Sequence, residues 1–186
     1  MKNLCQRLLI AAFVFAIALP LLAKPPLTEE QLIANLDSPT VKVAYAALQD
    51  LEKQYPTSAP AIAKIKTLLA DPRPTIRQKA ARVLGALHSE VSDADLKNIA
   101  KLLDSADPKE IMEGLKALRG LKAQSIVPKI VPLLQHADNY VKRDACRTLA
   151  VIGDKSVIPS IEPLLKNSDA KVQKDANDAI FALNAK

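Results

Sequence analysis

From Val141 onward the apolar positions fall at intervals of four, four and three residues: Val141, Ala145, Leu149 and Ile152, with Lys142, Arg143, Asp144 and Arg147 between them. That spacing draws one apolar stripe on a 3.6-residue period and predicts an amphipathic helix. The stripe returns 31 residues later as Val172, Ala176, Ile180 and Leu183. Upstream it reappears, weaker, through Leu118 and Leu121, with Glu110 standing where Val141 would, and again through Ile76, Ala80, Leu84 and Leu87. The copy nearest the N-terminus, Leu32-Ile33 through Ala44, Leu48 and Leu51, is the least regular, as terminal units of an array are expected to be.

Each stripe is preceded by a second apolar segment. Ser125-Ile126-Val127-Pro128-Lys129-Ile130-Val131-Pro132-Leu133-Leu134 lies in register with Ser156-Val157-Ile158-Pro159-Ser160-Ile161-Glu162-Pro163-Leu164-Leu165. Every unit therefore reads as two helices, A and B. Ser125 and Ser156 are expected as N-caps of A helices, and Thr28 with Gln31 as a capping box. Asp107, Pro108 and Glu110 supply N-cap, N1 and N3 of a B helix. Pro128 and Pro159 suit a first turn, whereas Pro132 and Pro163 each remove an interior hydrogen bond and are expected to bend helix A. Nothing after the N-terminal segment alternates with period two over a useful length, so no sheet is expected.

Ile76-Arg77-Gln78-Lys79-Ala80-Ala81-Arg82-Val83-Leu84-Gly85 and Val141-Lys142-Arg143-Asp144-Ala145-Cys146-Arg147-Thr148-Leu149 share one order along helix B: an aliphatic, a basic, a small residue and a leucine. With the aliphatic pair closing helix A and the Asp/Pro turn, the unit resembles a HEAT-like repeat of the short type found in bilin-lyase-related proteins. The resemblance runs over about residues 27 to 186. It implies an all-α fold, a right-handed α-solenoid of about five helical hairpins, with units near 27–58, 59–93, 94–124, 125–155 and 156–186. For function it implies a binding or scaffold module, with an enzyme of the bilin-lyase-like HEAT type as the alternative.

The first residues change where such a module is expected to work. Lys2 and Arg7 precede an apolar run from Leu8 to Ala23, sixteen residues with Pro20 near its end, which is a signal-peptide pattern and short of the roughly 20 residues of a membrane span. Residues 1–23 are expected as a cleaved signal, cut after Ala23 or after Ala18, leaving residues 24–186 as a periplasmic or secreted domain with no membrane span. Cleavage after Ala23 removes Lys2 and Arg7 and no acid, so the net charge falls from +6 to +4. That mild excess does not point to nucleic acid. Of two cysteines only Cys146 remains, so an internal disulfide is excluded. Tyr45, Tyr55, Tyr140 and Phe181 are the remaining aromatics, too few for a stacking platform for sugars or bases.

Little in the chain suggests chemistry. His88 and His136 are expected in separate turns without partners at metal-ligand spacing, so no metal and no cofactor are expected. Cys146 aligns with Ala81 and Asn177 and is read as a small packing residue. Asp138 and Asp169 begin successive B helices and are read as N-caps, not as an acid/base pair. No catalytic residue is assigned. Arg82, Lys116 and Arg147 occupy equivalent positions on three consecutive B helices, with Arg143 and Lys174 one turn earlier and Arg119 one turn later. B helices line the concave surface of HEAT-like arrays, so the resemblance implies one basic groove for another protein, through an acidic segment, or for an anionic polymer. The same residues also fit a solvated face paired with Glu113, Asp144 and Asp175. Phe181, where Gly85 and Ala150 stand in other units, raises a third option, a homo-oligomer built by end-to-end stacking.

Overall fold

The computed structural model describes residues 26–186; the expected signal peptide and its cleavage sites lie outside the described residues. Among the described residues there are ten helices and no strand. They are α1 (Glu29–Asn35), α2 (Val41–Gln54), α3 (Ala59–Thr67), α4 (Pro74–Ala86), α5 (Asp93–Ala100), α6 (Pro108–Gly120), α7 (Val127–Ile130), α8 (Asn139–Ile152), α9 (Ile158–Ile161) and α10 (Ala170–Asn184). Each odd-numbered helix packs on the even-numbered helix that follows it, giving five A/B hairpins. The B helices α2, α4, α6, α8 and α10 pack side by side in one layer, and the A helices make a second. The core between the layers is built from the stripes: Ile76, Leu84, Leu118, Val141, Leu149, Val172 and Leu183 are all buried. Stability in such an array comes from nearest-neighbour stacking, since each hairpin touches mainly the next.

The caps show why the helices start where they do. Thr28 and Gln31 form the expected capping box, and Ser92 with Asp95 forms another at α5. Asp107, Asp138 and Asp169 accept backbone N–H groups at the starts of α6, α8 and α10. Ser125 and Ser156 do not cap α7 and α9. They sit inside extra 3-10 turns, Gln124–Ile126 and Lys155–Val157, and in the second of these Asp154 is the cap, accepting the Ser156 N–H at 2.8 Å. Those turns lie ahead of the α segments, so the helix starts are moved beyond the serines.

Pro132 and Pro163 also act differently from a bend. The α geometry stops at Ile130 and Ile161, and the chain continues as 3-10 helix over Val131–Gln135 and Glu162–Lys166. Two prolines four residues apart delete two N–H donors, so no long run of consecutive α bonds survives and the tighter helix takes over.

Glu110, which breaks the aliphatic register of Ile76, Val141 and Val172, is buried nonetheless. Arg77 Nη2 donates to Oε1 at 3.1 Å and Ser105 Oγ donates to Oε2 at 2.7 Å, so the carboxylate takes two hydrogen bonds in place of apolar contact. At the turn before α4, Arg73 grips Asp71 through two bonds of 2.8 and 2.7 Å and donates to the Ser38 carbonyl at 2.7 Å, tying the second hairpin to the first. The Arg73 side chain holds the Asp71 carboxyl below its ordinary 3.8. Asp154, through the Ser156 hydroxyl, and Asp169, through the Lys171 backbone N–H, are lowered too.

These acids bind protons more weakly folded than unfolded. Their contribution is complete above the ordinary carboxylate value and is lost as pH falls through the lower folded values. Urea midpoints should stay flat from pH 7 to about 5 and fall below about 4, with a shallower fall in Asp71→Asn. An Asp71→Asn slope as steep as that of the parent would remove the Arg73 pair from the explanation.

The outer side of α10 differs from the inner helices at one register position. Ala81, Leu115 and Cys146 are fully buried there, whereas Asn177 is exposed. Lys171, Gln173, Lys174 and Asp178 are exposed on the same helix, so this side is polar apart from Phe181, which is 78% exposed.

Candidate binding face on the B helices

Side-by-side packing of α4, α6, α8 and α10 brings equivalent positions of the repeat into rows. Arg82, Lys116 and Arg147 are all exposed in one row, and Asp178 takes the fourth place. One turn earlier on each helix, at i−3, stands a second row: Lys79, Glu113, Asp144 and Asp175. Lys79, Asp144 and Asp175 are buried, and Oε2 of the half-buried Glu113 is buried with no hydrogen-bond partner among the described residues.

Most of the basic residues are engaged with these acids. Lys116 bonds Glu113 at 2.8 Å. Arg147 reaches Asp144 at 3.4 Å and Asp175 at 3.0 Å. Arg143 donates from Nε to Asp175 at 2.6 Å and lies 5.9 Å from the centre of the Tyr140 ring. The hydrogen bond to Asp175 raises Arg143 above its ordinary value, and Asp178, 2.5 Å away, does the same for Lys174. Arg119 is half-buried, with its Nη1 lacking a partner among the described residues. Arg82 makes neither an ion pair nor a side-chain hydrogen bond to the described residues.

The i−3 row explains that difference. In α6 and α8 the inner acid neutralises the outer base. In α4 the inner residue is Lys79, of the same sign as Arg82. Lys79 is 3% exposed and takes its counter-charge from α2, where Glu52 accepts at 2.6 Å and the Tyr45 ring lies 5.6 Å from the ammonium. Reading the sequence for the exposed row alone passes over Lys79, Glu52 and Tyr45. The register carried a signal for Lys79 alone, because position 79 aligns with Glu113, Asp144 and Asp175.

Two clefts open on this face. One of about 270 Å³, between α2, α4 and α6, is lined by Tyr45, Gln78, Arg82, Met112 and Glu113 among others. The other, also about 270 Å³, lies at the starts of α8 and α10 among Asp138, Asn139, Tyr140, Arg143 and Asp169. In the second most polar groups are already used: both aspartates cap helices, Asn139 donates to Asp169, and Arg143 holds Asp175, whereas the Lys171 ammonium at its rim has no partner among the described residues.

The residues with most chemical potential are occupied in packing and turns. Cys146 is fully buried, and burial pushes its thiol up to about 12, which keeps it protonated at neutral pH. His88 Nδ1 lies 2.7 Å from the Gly120 carbonyl, which only accepts, so that nitrogen carries the proton. His136 Nδ1 accepts the Asp138 N–H at 3.0 Å. Among the described residues no three His, Cys, Asp or Glu side chains converge on a possible metal position, and no helix is long and apolar enough to cross a membrane.

Residues 96–180 match the family model of HEAT repeats. No curated protein matches the chain by sequence. Among solved structures it is similar to the complex of CpcE and CpcF of phycocyanin lyase from Nostoc sp. PCC7120, at 24% identity and a TM-score of 0.74, over 91% of this chain and 70% of that one. A designed armadillo repeat protein in complex with the peptide (KR)4 aligns at 21% identity and a TM-score of 0.65, over 83% of this chain and 81% of that one. An engineered protein aligns at 24% identity and a TM-score of 0.60, over 83% and 78%. At these identities the likeness is one of fold.

Proposed function

Because the chain is a HEAT-like repeat protein, we propose that it is exported and acts in the periplasm or outside the cell as a binding or scaffold module, holding another protein across its B-helix face. The observation that carries this is the pair of charged rows on α4, α6, α8 and α10. They change sign and degree of neutralisation from helix to helix, as a surface that reads an extended partner would. The designed armadillo protein of the same fold, bound to a peptide, supports the reading by analogy. Export rests on the apolar run after Lys2 and Arg7.

Two other roles are less well supported. A lyase-type enzyme has the likeness to the phycocyanin lyase complex in its favour, but the only thiol among the described residues is buried and protonated, and the histidines are bonded within turns. End-to-end stacking would place a further helix against Phe181 and Asn177, where the preceding unit has Ala150 and Cys146.

The test is to isolate the protein from the envelope fraction of its own cells at low salt. The expected product begins at Lys24 by mass spectrometry and carries a partner that is released as ionic strength rises. A full-length chain confined to the cytoplasm would sink the export reading. A chain that comes out alone at every salt concentration would sink the binding reading.

A further inference from the structure

Polar groups without partners are gathered at one end of the B-helix face. At α8 and α10 the acids and bases close on one another. At the cleft between α2, α4 and α6, Arg82 and the half-buried Gln78 side chain make no hydrogen bond to the described residues, and Glu113 Oε2 is buried without a partner. Glu52 on α2 is committed to Lys79. The Tyr45 ring and the Met112 side chain supply the apolar part of the lining. In a larger cleft, of about 510 Å³, Arg77 and Glu110 are bonded to each other, and Arg77 also to the Asp71 carbonyl and Glu110 to Ser105.

We infer that this cleft is the recognition point for an extended acidic segment of a partner protein. Arg82 receives a carboxylate side chain through its planar fork, with Lys109 adding positive charge at the rim. A neighbouring side chain of the segment lies on Tyr45 and Met112. Gln78 takes a backbone amide of the segment, its own donor and acceptor both being without partners among the described residues. The volume of about 270 Å³ accommodates one or two side chains. A basic segment would meet Arg82 and Lys109 with the wrong sign. The inference rests on the B-face reading above and narrows it to one end and one ligand chemistry.

The probe is an octapeptide alternating glutamate and alanine, titrated into the processed protein by calorimetry at about 0.15 M salt, where charges more than about 8 Å away are largely screened. Arg82→Glu should weaken binding at least tenfold and leave the melting temperature unchanged, since Arg82 has no partner to lose. Arg147→Gln, at the far end, should change the affinity less than twofold. No binding at millimolar peptide, an equal loss in Arg147→Gln, or tighter binding of an octapeptide alternating lysine and arginine would each overturn the inference. If any of these occurs while the envelope partner is still retained, this cleft is excluded and B-face binding stands. If the partner is absent as well, both readings fall.

Discussion

Gly120→Ala should lower the stability of the folded chain by about 3 kcal/mol, the upper end for overpacking a close-fitted contact, and with it the melting temperature by about 6–12 °C. Helix propensity argues the other way, since alanine in place of a helical glycine is worth up to about 1 kcal/mol in a helix interior. The tertiary contact decides the sign. A Cβ at Gly120 would stand 2.3 Å from the Gly85 carbonyl oxygen, and one at Gly85 would stand 2.7 Å from the Ala117 Cα. In both cases the obstacle is backbone and has no rotamer to change, so α4 and α6 must separate. No glycine here has positive φ, so close approach and not backbone freedom is what these two positions require. The His88 hydrogen bond to the Gly120 carbonyl spans the same junction and would be stretched with it. Thermal unfolding followed by circular dichroism measures the effect; a Gly120→Ala protein at least as stable as the parent would refute the close packing of α4 on α6.

Glu52→Leu should cost about 2–3 kcal/mol, less than the full penalty for breaking a buried pair because the Glu52 side chain is 24% exposed. The loss arises at the partner. The Lys79 side chain is 2% exposed, and without Glu52 its ammonium keeps only the Tyr45 ring. Lys79→Met should stay within about 1 kcal/mol of the parent, because it removes the buried charge and leaves a carboxylate that water can reach. Urea denaturation of the two variants tests this asymmetry. Equal losses would mean that the pair acts through its mutual attraction instead of through the cost of stranding Lys79.

These two cases mark where reading the chain was sufficient and where it was not. Helix positions, the hairpin order and the aspartate caps at 107, 138 and 169 were legible because they depend on residues within one turn or one repeat of each other. The serine caps at 125 and 156 failed because backbone 3-10 turns place the helix starts later than side-chain preference does. The basic rows were legible as a register, and Arg82, Lys116 and Arg147 do line up on packed helices. Their neutralisation was only partly so. Lys116 finds its acid at i−3, a local relation, whereas Arg143 and Arg147 find Asp175 on the next helix, and Lys79 finds Glu52 on the previous one.

The repeating unit was legible in the chain alone: a 31-residue apolar period and turns punctuated by aspartate and proline. Periodicity and capping are local, set by residues within one turn of each other. Which charges remain available was decided by the tertiary structure. An ion pair depends on the distance between side chains on neighbouring helices, and stacking brings residues about thirty positions apart to within 3 Å. The same stacking turned Gly85 and Gly120 from poor helix formers into a contact that permits nothing larger. It also left Arg82, one of three equivalent bases in the sequence, as the one of those three without a counter-charge among the described residues.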